Sequence, residues 1–486
     1  MSIRTGKEYQ QDLADRPRNI WINGEHITNV VGHPIFTASI KEIAKLYDLQ
    51  HDPKFHDIMT FESPTTGDRV ATGFLPPRSG EDIKKRSNTF RIIANATFGM
   101  MGRTQDYLST MLMSFAESPH LFDKCGPEYT ERLINYFEYV RENDLFLTHA
   151  LIPPQSDRTK TSSKQKEEFL HMGVAEETKN GVIIRGARML ATLAPVADEL
   201  LVYSLPGLKP EDAKHSIMFS IPIDSKGLKI ICRRPYSTGQ HNTFDHPLAA
   251  RYEESDAVVV FDDVLVPWDR VFIYDNVDAS NDLYTKSFVR QHAAHQTAVR
   301  GVAKMSLAVG TAIHLARSIK IDQFLGVQEK LGKCISALEM IKGCLLAAET
   351  NVVTNDKGQV YCALEPLLAI RNFMPRAYPE VIDILRELGA GGLTMNPSKD
   401  DIDSSEIGQD ILKYYVGAGD LAAPERISLF NLAWDLTGDA FGMRQLQYER
   451  YYSGDPMKNL ANTYLGYNGE DCLNLVEAAL ESARNN

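Results

Sequence analysis

The sequence predicts a mainly helical α+β fold in three successive parts, and three observations carry that reading. Helical spacing of apolar residues dominates positions 1 to about 145. A stretch of short, turn-bounded strand patterns follows, to about 277. Long amphipathic helical patterns then run from about 284 toward the end of the 486-residue chain. The expected domains are therefore a helical one over 1–145, a β-domain over 146–277, and a helical bundle with a tail over 278–486.

In the first part, T-A-S-I-K-E-I-A-K-L-Y-D-L-Q (37–50) spaces Ile40, Ile43, Ala44 and Tyr47 along one helix face. Segment 129–147 does the same with Leu133, Tyr136, Phe137, Val140 and Leu145, until Pro153-Pro154 breaks the pattern. A polar connection spans 155–170. In the second part, Lys179-Asn180-Gly181 and Asp224-Ser225-Lys226-Gly227 are hairpin-turn signals. A-V-V-V-F (257–261) reads as a buried strand, with V-L-V-P-W after it. In the third part, Val327, Leu331, Ile335, Leu338, Ile341 and Leu345 recur every three or four residues. So do Val381, Ile384, Leu385 and Leu388, and Gly389 stands where a helix C-cap belongs.

Hydrophobic content of 43% and charged content of 24% are ordinary for a globular protein. A net charge of -12 argues against binding nucleic acid or an anionic membrane, both of which select basic patches. No apolar run reaches the roughly 20 residues that cross a bilayer, and M-S-I-R-T-G-K-E lacks a signal-peptide core, so a cytoplasmic location is expected. The six scattered cysteines form no C-x-x-C pair, which leaves no zinc or disulfide framework to propose.

The most informative segment is M-G-R-T-Q-D-Y (101–107). If helical, it puts Arg103 and Tyr107 on one face, four residues apart. A permanent cation and a phenol hydroxyl could then bind one oxygen-bearing ring. On the residues alone, Arg103 could equally form an interhelical ion pair and Tyr107 pack in the core. His149, before I-P-P, could be a base or a structural histidine. Thr192 could be an ordinary strand threonine, and Gln155-Ser156-Asp157-Arg158 a solvated loop.

Five segments carry a family resemblance: W-I-N-G-E-H-I-T-N-V (21–30), L-T-H-A-L-I-P-P-Q-S-D-R (147–158), A-T-L-A-P-V-A-D-E (191–199), H-P-L-A-A-R-Y-E-E-S-D-A-V-V-V-F-D-D-V-L-V-P-W-D-R-V (246–271) and Y-E-R-Y-Y-S-G-D-P (448–456). With M-G-R-T-Q-D-Y they make the chain resemble the oxygenase component of two-component flavin monooxygenases, the 4-hydroxyphenylacetate 3-monooxygenase family. The resemblance implies an acyl-CoA dehydrogenase-like fold with a β-barrel-like middle domain and a four-helix bundle.

It also implies a reaction. Reduced FAD and O2 form a C4a-hydroperoxide that hydroxylates a phenol, 4-hydroxyphenylacetate or a relative, ortho to its hydroxyl. Arg103, Tyr107 and His149 would hold the phenolic oxygen, with His149 as base, and Ser204 and Leu205 the substrate tail. His149, Gln155, Ser156, Asp157, Arg158, Thr192, Ser453, Gly454, Asp455 and Pro456 would contact FAD. The loop 205–214, opening L-P-G, would be a mobile lid. A separate NAD(P)H-dependent flavin reductase would supply FADH2, because no G-x-G-x-x-G fingerprint is present. A homotetramer, or a dimer, would be the assembly.

The chemistry demanded is definite. A phenol ionises near pH 10, and lowering that to about 7 requires roughly 4 kcal/mol of preference for the anion. One buried cation with one or two hydrogen bonds can supply it. Two other readings compete: an acyl-CoA dehydrogenase or dehydratase, and a non-catalytic flavin-binding protein. The dehydratase needs cysteine ligands for an iron–sulfur cluster, and residues 99–107, Val299 and Val302 offer none. His292 and His295 share a helix face, but no third metal ligand accompanies them.

Overall fold

The computed structural model describes residues 3–237 and 242–484. The expected helix at 37–50 is Pro34–Leu49, entered through proline at its first turn, with Ile40, Ile43, Ala44 and Tyr47 buried. The expected helix at 129–147 is shorter, Pro127–Glu142. Asp144 turns the chain through a left-handed conformation (φ 46°), and Leu147–Ala150 is already a strand. Periodicity overran this end because Leu145 and Leu147 are buried from non-helical positions.

Two sheets form the middle of the molecule. The six-stranded sheet runs Glu25–Ile27, Ile20–Ile22, Leu228–Cys232, Ala257–Pro267, Gly181–Met189, Gly173–Thr178. The four-stranded sheet runs Val271–Tyr274, Ile217–Pro222, Glu199–Val202, Leu147–Ala150. Two strands of the N-terminal segment thus belong to the larger sheet, with Ile20 in parallel register with Ile230. Lys179-Asn180 closes a hairpin as expected. Asp224-Ser225-Lys226-Gly227 does not, because the strands it joins lie in different sheets. Gly227 (φ 88°) lets the chain cross there, since a Cβ would lie 2.5 Å from the Asp262 carbonyl oxygen. The His149 strand lies beside Glu199–Val202 in parallel register, His149 opposite Leu201, and both strands are fully buried.

Three long helices, Val289–Ser318, Leu325–Thr350 and Leu364–Gly389, pack with Ala423–Thr437 and Ala440–Tyr451 into the C-terminal bundle. Leu331, Leu338, Ile341 and Leu345 are buried as expected, whereas Ile335 is 42% exposed and lies off the core-facing stripe. Gly389 is not the left-handed cap. A positive φ falls instead on Ala390 (φ 42°, ψ -138°), which is not the left-handed helical conformation either, and Gly389 is small because Leu393 packs 2.5 Å from where its Cβ would be. Helices Pro456–Leu465 and Glu470–Arg484 bury no residue. No helix among the described residues is long and apolar enough to cross a membrane.

Candidate active site

The site begins at a tight loop, residues 98–104. Phe98 and Gly99 both have positive φ, and a Cβ on Gly99 would strike the backbone of Arg300 and Lys304 at 2.7 Å. Gly102 allows the loop to lie on Tyr448, whose ring would be 2.4 Å from a Cβ. The Glu254 carboxylate then accepts two consecutive backbone N–H groups, Gly102 at 2.7 Å and Arg103 at 3.0 Å. Gly102→Ala should therefore force Tyr448 aside and cost about 1–3 kcal/mol, the usual penalty for overpacking, read as a lowered urea midpoint.

Arg103 does not sit on a helix, which corrects the i, i+4 expectation. The helix is Gln105–Ala116, with Thr104 at its N-cap position. Arg103 precedes it and folds back, so that its guanidinium lies 4.3 Å from the Tyr107 ring centre. Its Nη1 donates to Tyr448 Oη at 2.6 Å and to the Gly102 carbonyl at 3.0 Å. Burial alone would weaken its charge, but Tyr448, Tyr107 and Glu254 outweigh that and hold it protonated.

Tyr107, in the first turn, meets His149 edge to face with ring centres 5.9 Å apart. Burial pushes its hydroxyl up to about 12, against the pull of Arg103, so it remains a neutral donor. His149 is also buried, with Nδ1 3.5 Å from Tyr203 Oη. Burial first, then Arg103, push its pKa well below 6.5, so the imidazole is neutral at rest. The structure thus brings together the three residues singled out in the sequence.

Thr192 lies in a turn, not a strand, between Leu190 (φ 63°) and Leu193 (φ 61°). Its carbonyl accepts from Thr148 Oγ1 at 2.6 Å, tying this turn to the His149 strand, and its own hydroxyl donates to Asp256 at 2.7 Å. Ser204 is buried, accepting from Arg188 Nη2 at 2.8 Å and donating to the His215 carbonyl at 3.2 Å, while Leu205 is exposed. The loop after it is anchored: Gly207 and Leu208 donate to Asn281, and Asp212 is buried.

Gln155, Ser156, Asp157 and Arg158 lie exposed on a loop that Ser156 pins through Gln165 and His171. Ser453, Gly454 and Asp455 lie in the turn between two helices, and Pro456 opens the second. Asp455 caps Pro456–Leu465, and the Ser453 carbonyl accepts from Arg371 Nη2. Arg371 Nε is buried without a protein partner, a donor that suits a phosphate oxygen. That orphan donor, together with the hydroxyl-bearing turn at Thr192, fits an isoalloxazine with a phosphate tail.

Sequence reading missed Tyr203, Glu254, Asp256, Arg444 and Tyr448 as site residues. Arg444 donates to Glu254 at 2.6 Å and to Asp256 at 2.8 and 3.1 Å, so one arginine of the bundle steadies both carboxylates. All but Tyr203 lie inside the quoted resemblance segments or next to them, but no local spacing marks carboxylates whose partners lie 23 to 190 residues away.

Models of the two halves of 4-hydroxyphenylacetate 3-hydroxylase match residues 5–273 (N terminal) and 280–481 (C terminal). The chain belongs to the 4-hydroxyphenylacetate 3-hydroxylase family. The 4-hydroxyphenylacetate 3-monooxygenase oxygenase component of Thermus thermophilus is 38% identical over 99% of this chain and 98% of its own. A solved structure of such a component, complexed with FAD and 4-hydroxyphenylacetate, has a TM-score of 0.93 at 38% identity, covering 99% of each chain. A 4-hydroxybutyryl-CoA dehydratase from N. maritimus, at 20% identity, has a TM-score of 0.86 over 98% of this chain and 95% of its own, a likeness of fold alone. This member of the 4-hydroxyphenylacetate 3-hydroxylase family has the acyl-CoA dehydrogenase-like fold expected from sequence.

Two buried histidines of this family member contribute to its acid sensitivity. His149 and His292 are both neutral when folded, chiefly through burial, helped by Arg103 for the first and Arg86 for the second. Their folded pKa values lie below 6.5, so the unfolded chain binds more protons as pH falls through that value. Stability should drop by about 1.4 kcal/mol per pH unit for each. His295 has the opposite sign: burial lowers its pKa, but Cys362 and Glu349 outweigh that and raise it to about 9. Its contribution is full below about 6.5 and is lost as pH rises through about 9. Urea midpoints measured downward from about pH 6.5 should fall less steeply in His292→Gln than in the parent.

Proposed function

We propose that this chain is the oxygenase component of a two-component flavin monooxygenase, using reduced FAD and O2 to hydroxylate a phenol ortho to its hydroxyl. The observation that carries this reading is the contact set of Arg103, Tyr107 and His149: a held cation, a neutral phenol donor and a neutral imidazole packed side by side. The relatives' names point to 4-hydroxyphenylacetate or a related phenol as substrate.

When bound, reduced FAD supplies the activated oxygen. The chain's own residues prepare the ring. His149 accepts the phenol proton while Arg103 and the Tyr107 hydroxyl receive the anion. The phenolate forms as the imidazole becomes cationic, so the buried site gains no net charge, and a neutral resting histidine beside Arg103 is the state that permits this. Thr192, the turn at Ser453–Pro456, Arg371 and the 155–158 loop would hold the cofactor. Ser204 and Leu205 would meet the substrate tail.

Reduced flavin would come from a separate NAD(P)H-dependent reductase in the cytoplasm. Assembly as a homotetramer, or a dimer, is supported by the two tail helices, which leave Met457, Tyr464, Leu465, Leu473 and Leu475 exposed. The test is to mix the protein with chemically reduced FAD, O2 and 4-hydroxyphenylacetate. The catechol is expected. Flavin oxidation that yields only peroxide across a panel of phenols would refute the proposal.

A further inference from the structure

We propose that Asp256 determines which oxidation state of the flavin this site accepts, by committing the only hydroxyl proton of Thr192. The inference rests on the reading above that Thr192 would hold the cofactor, and takes that contact to fall at N5 of the flavin ring.

The carboxylate of Asp256 is fully engaged as an acceptor. Oδ1 takes the Thr192 hydroxyl at 2.7 Å and Arg444 Nη2 at 2.8 Å. Oδ2 takes Arg444 Nε and Arg233 Nε, each at 3.1 Å. Two guanidinium groups and a hydroxyl on one carboxylate leave it no proton to donate, so the hydrogen between Thr192 and Asp256 belongs to Thr192. Burial would favour the protonated acid, but Arg444, Arg233 and Thr192 outweigh it and hold Asp256 well below the usual carboxylate range. The backbone on either side of Thr192 is fixed as well: Leu193 N–H donates to the Ser255 carbonyl at 2.8 Å, and Thr148 Oγ1 donates to the Thr192 carbonyl at 2.6 Å.

A hydroxyl has one proton to give. With that proton on Asp256, Thr192 Oγ can offer a ligand only a lone pair. Reduced flavin carries N–H at N5 and donates, whereas oxidised flavin has a bare N5 that only accepts. Against Thr192 the reduced form makes a hydrogen bond, and the oxidised form sets two acceptors face to face. A buried acceptor pair without a proton is penalised as an unmade hydrogen bond. Asp256 thereby biases the site toward the cofactor form that a diffusing supply must deliver, and toward release of the spent form. Asn at position 256 reverses the logic: its amide can donate to Thr192 Oγ, freeing the hydroxyl proton for an oxidised N5.

The test needs neither phenol nor oxygen, so it is separable from the hydroxylation assay. Dissociation constants for FAD are measured in both oxidation states, the reduced form anaerobically, together with the reduction potential of the bound flavin. The parent should bind reduced FAD more tightly. Asp256→Asn should cut the ratio of the two constants about tenfold, a fall of about 30 mV in bound-flavin potential for a two-electron couple. Thr192→Val should lower the ratio similarly, and Thr192→Ser should keep it. A folded Asp256→Asn protein with the parental ratio and potential overturns the proposal. If Asp256→Asn does not fold, Thr192→Val decides: a parental ratio there overturns it, and a lowered ratio that Thr192→Ser preserves supports it.

Discussion

Arg103→Ala is expected to lose hydroxylation by about 10²–10³-fold while reduced flavin is still oxidised, its electrons appearing as hydrogen peroxide. The magnitude follows from the ionisation that the site must drive. Moving a phenol from about 10 to about 7 is a preference of roughly 4 kcal/mol, and a half-buried, fixed guanidinium is its largest single source. Arg103 is also hard to replace. It is wedged between the Tyr107 ring and the Tyr448 hydroxyl, and its backbone N–H is fixed by Glu254. Arg103→Lys keeps the charge but not the planar group that lies against Tyr107 while donating to Tyr448, so it should recover only part of the loss. The measurement is catechol and peroxide formed per flavin oxidised, in single turnovers. Parental coupling in Arg103→Ala would sink the role assigned to this side chain.

His149→Ala should reduce the rate of hydroxylation about 10²-fold near pH 7, the usual weight of a positioned base. Its pH dependence should differ from the parent's. The parent imidazole is neutral down to well below 6.5, so its activity should show no acid limb at 6.5. In His149→Ala the phenol must ionise without a local acceptor, under the pull of Arg103 alone, so activity should climb with pH above about 7 where the parent's does not. A flat profile in the variant, at parental rate, would remove His149 from the chemistry.

Much of this was legible in the sequence, for reasons that differ by residue. The helix Pro34–Leu49 was readable because Ile40, Ile43 and Tyr47 repeat with the period of a helix, and tertiary packing then used that same face. The hairpin at Lys179-Asn180 was readable because turn chemistry is local. Asp224-Ser225-Lys226-Gly227 has the same chemistry, yet its strands part into two sheets. Pairing partners are chosen by distant strands: Leu228–Cys232 pairs with Ala257–Pro267, Ile230 opposite Val259.

Arg103 is the instructive case. It was singled out on a helical i, i+4 geometry that the structure does not have. It reaches Tyr107 by folding back from the N-terminal side of the helix, held there by Glu254 and Tyr448 from distant parts of the chain. The carboxylates Glu254 and Asp256 were invisible as site residues, because their meaning comes from Arg444, nearly 190 positions away.

The account depends most directly on the ionisation state of the bound phenol. Ultraviolet difference titration of 4-hydroxyphenylacetate on the protein holding reduced FAD, without oxygen, measures it. The site built from Arg103, Tyr107 and His149 predicts a phenol that loses its proton about three units below its value in water, near pH 7. A bound phenol that still titrates near 10 would contradict it.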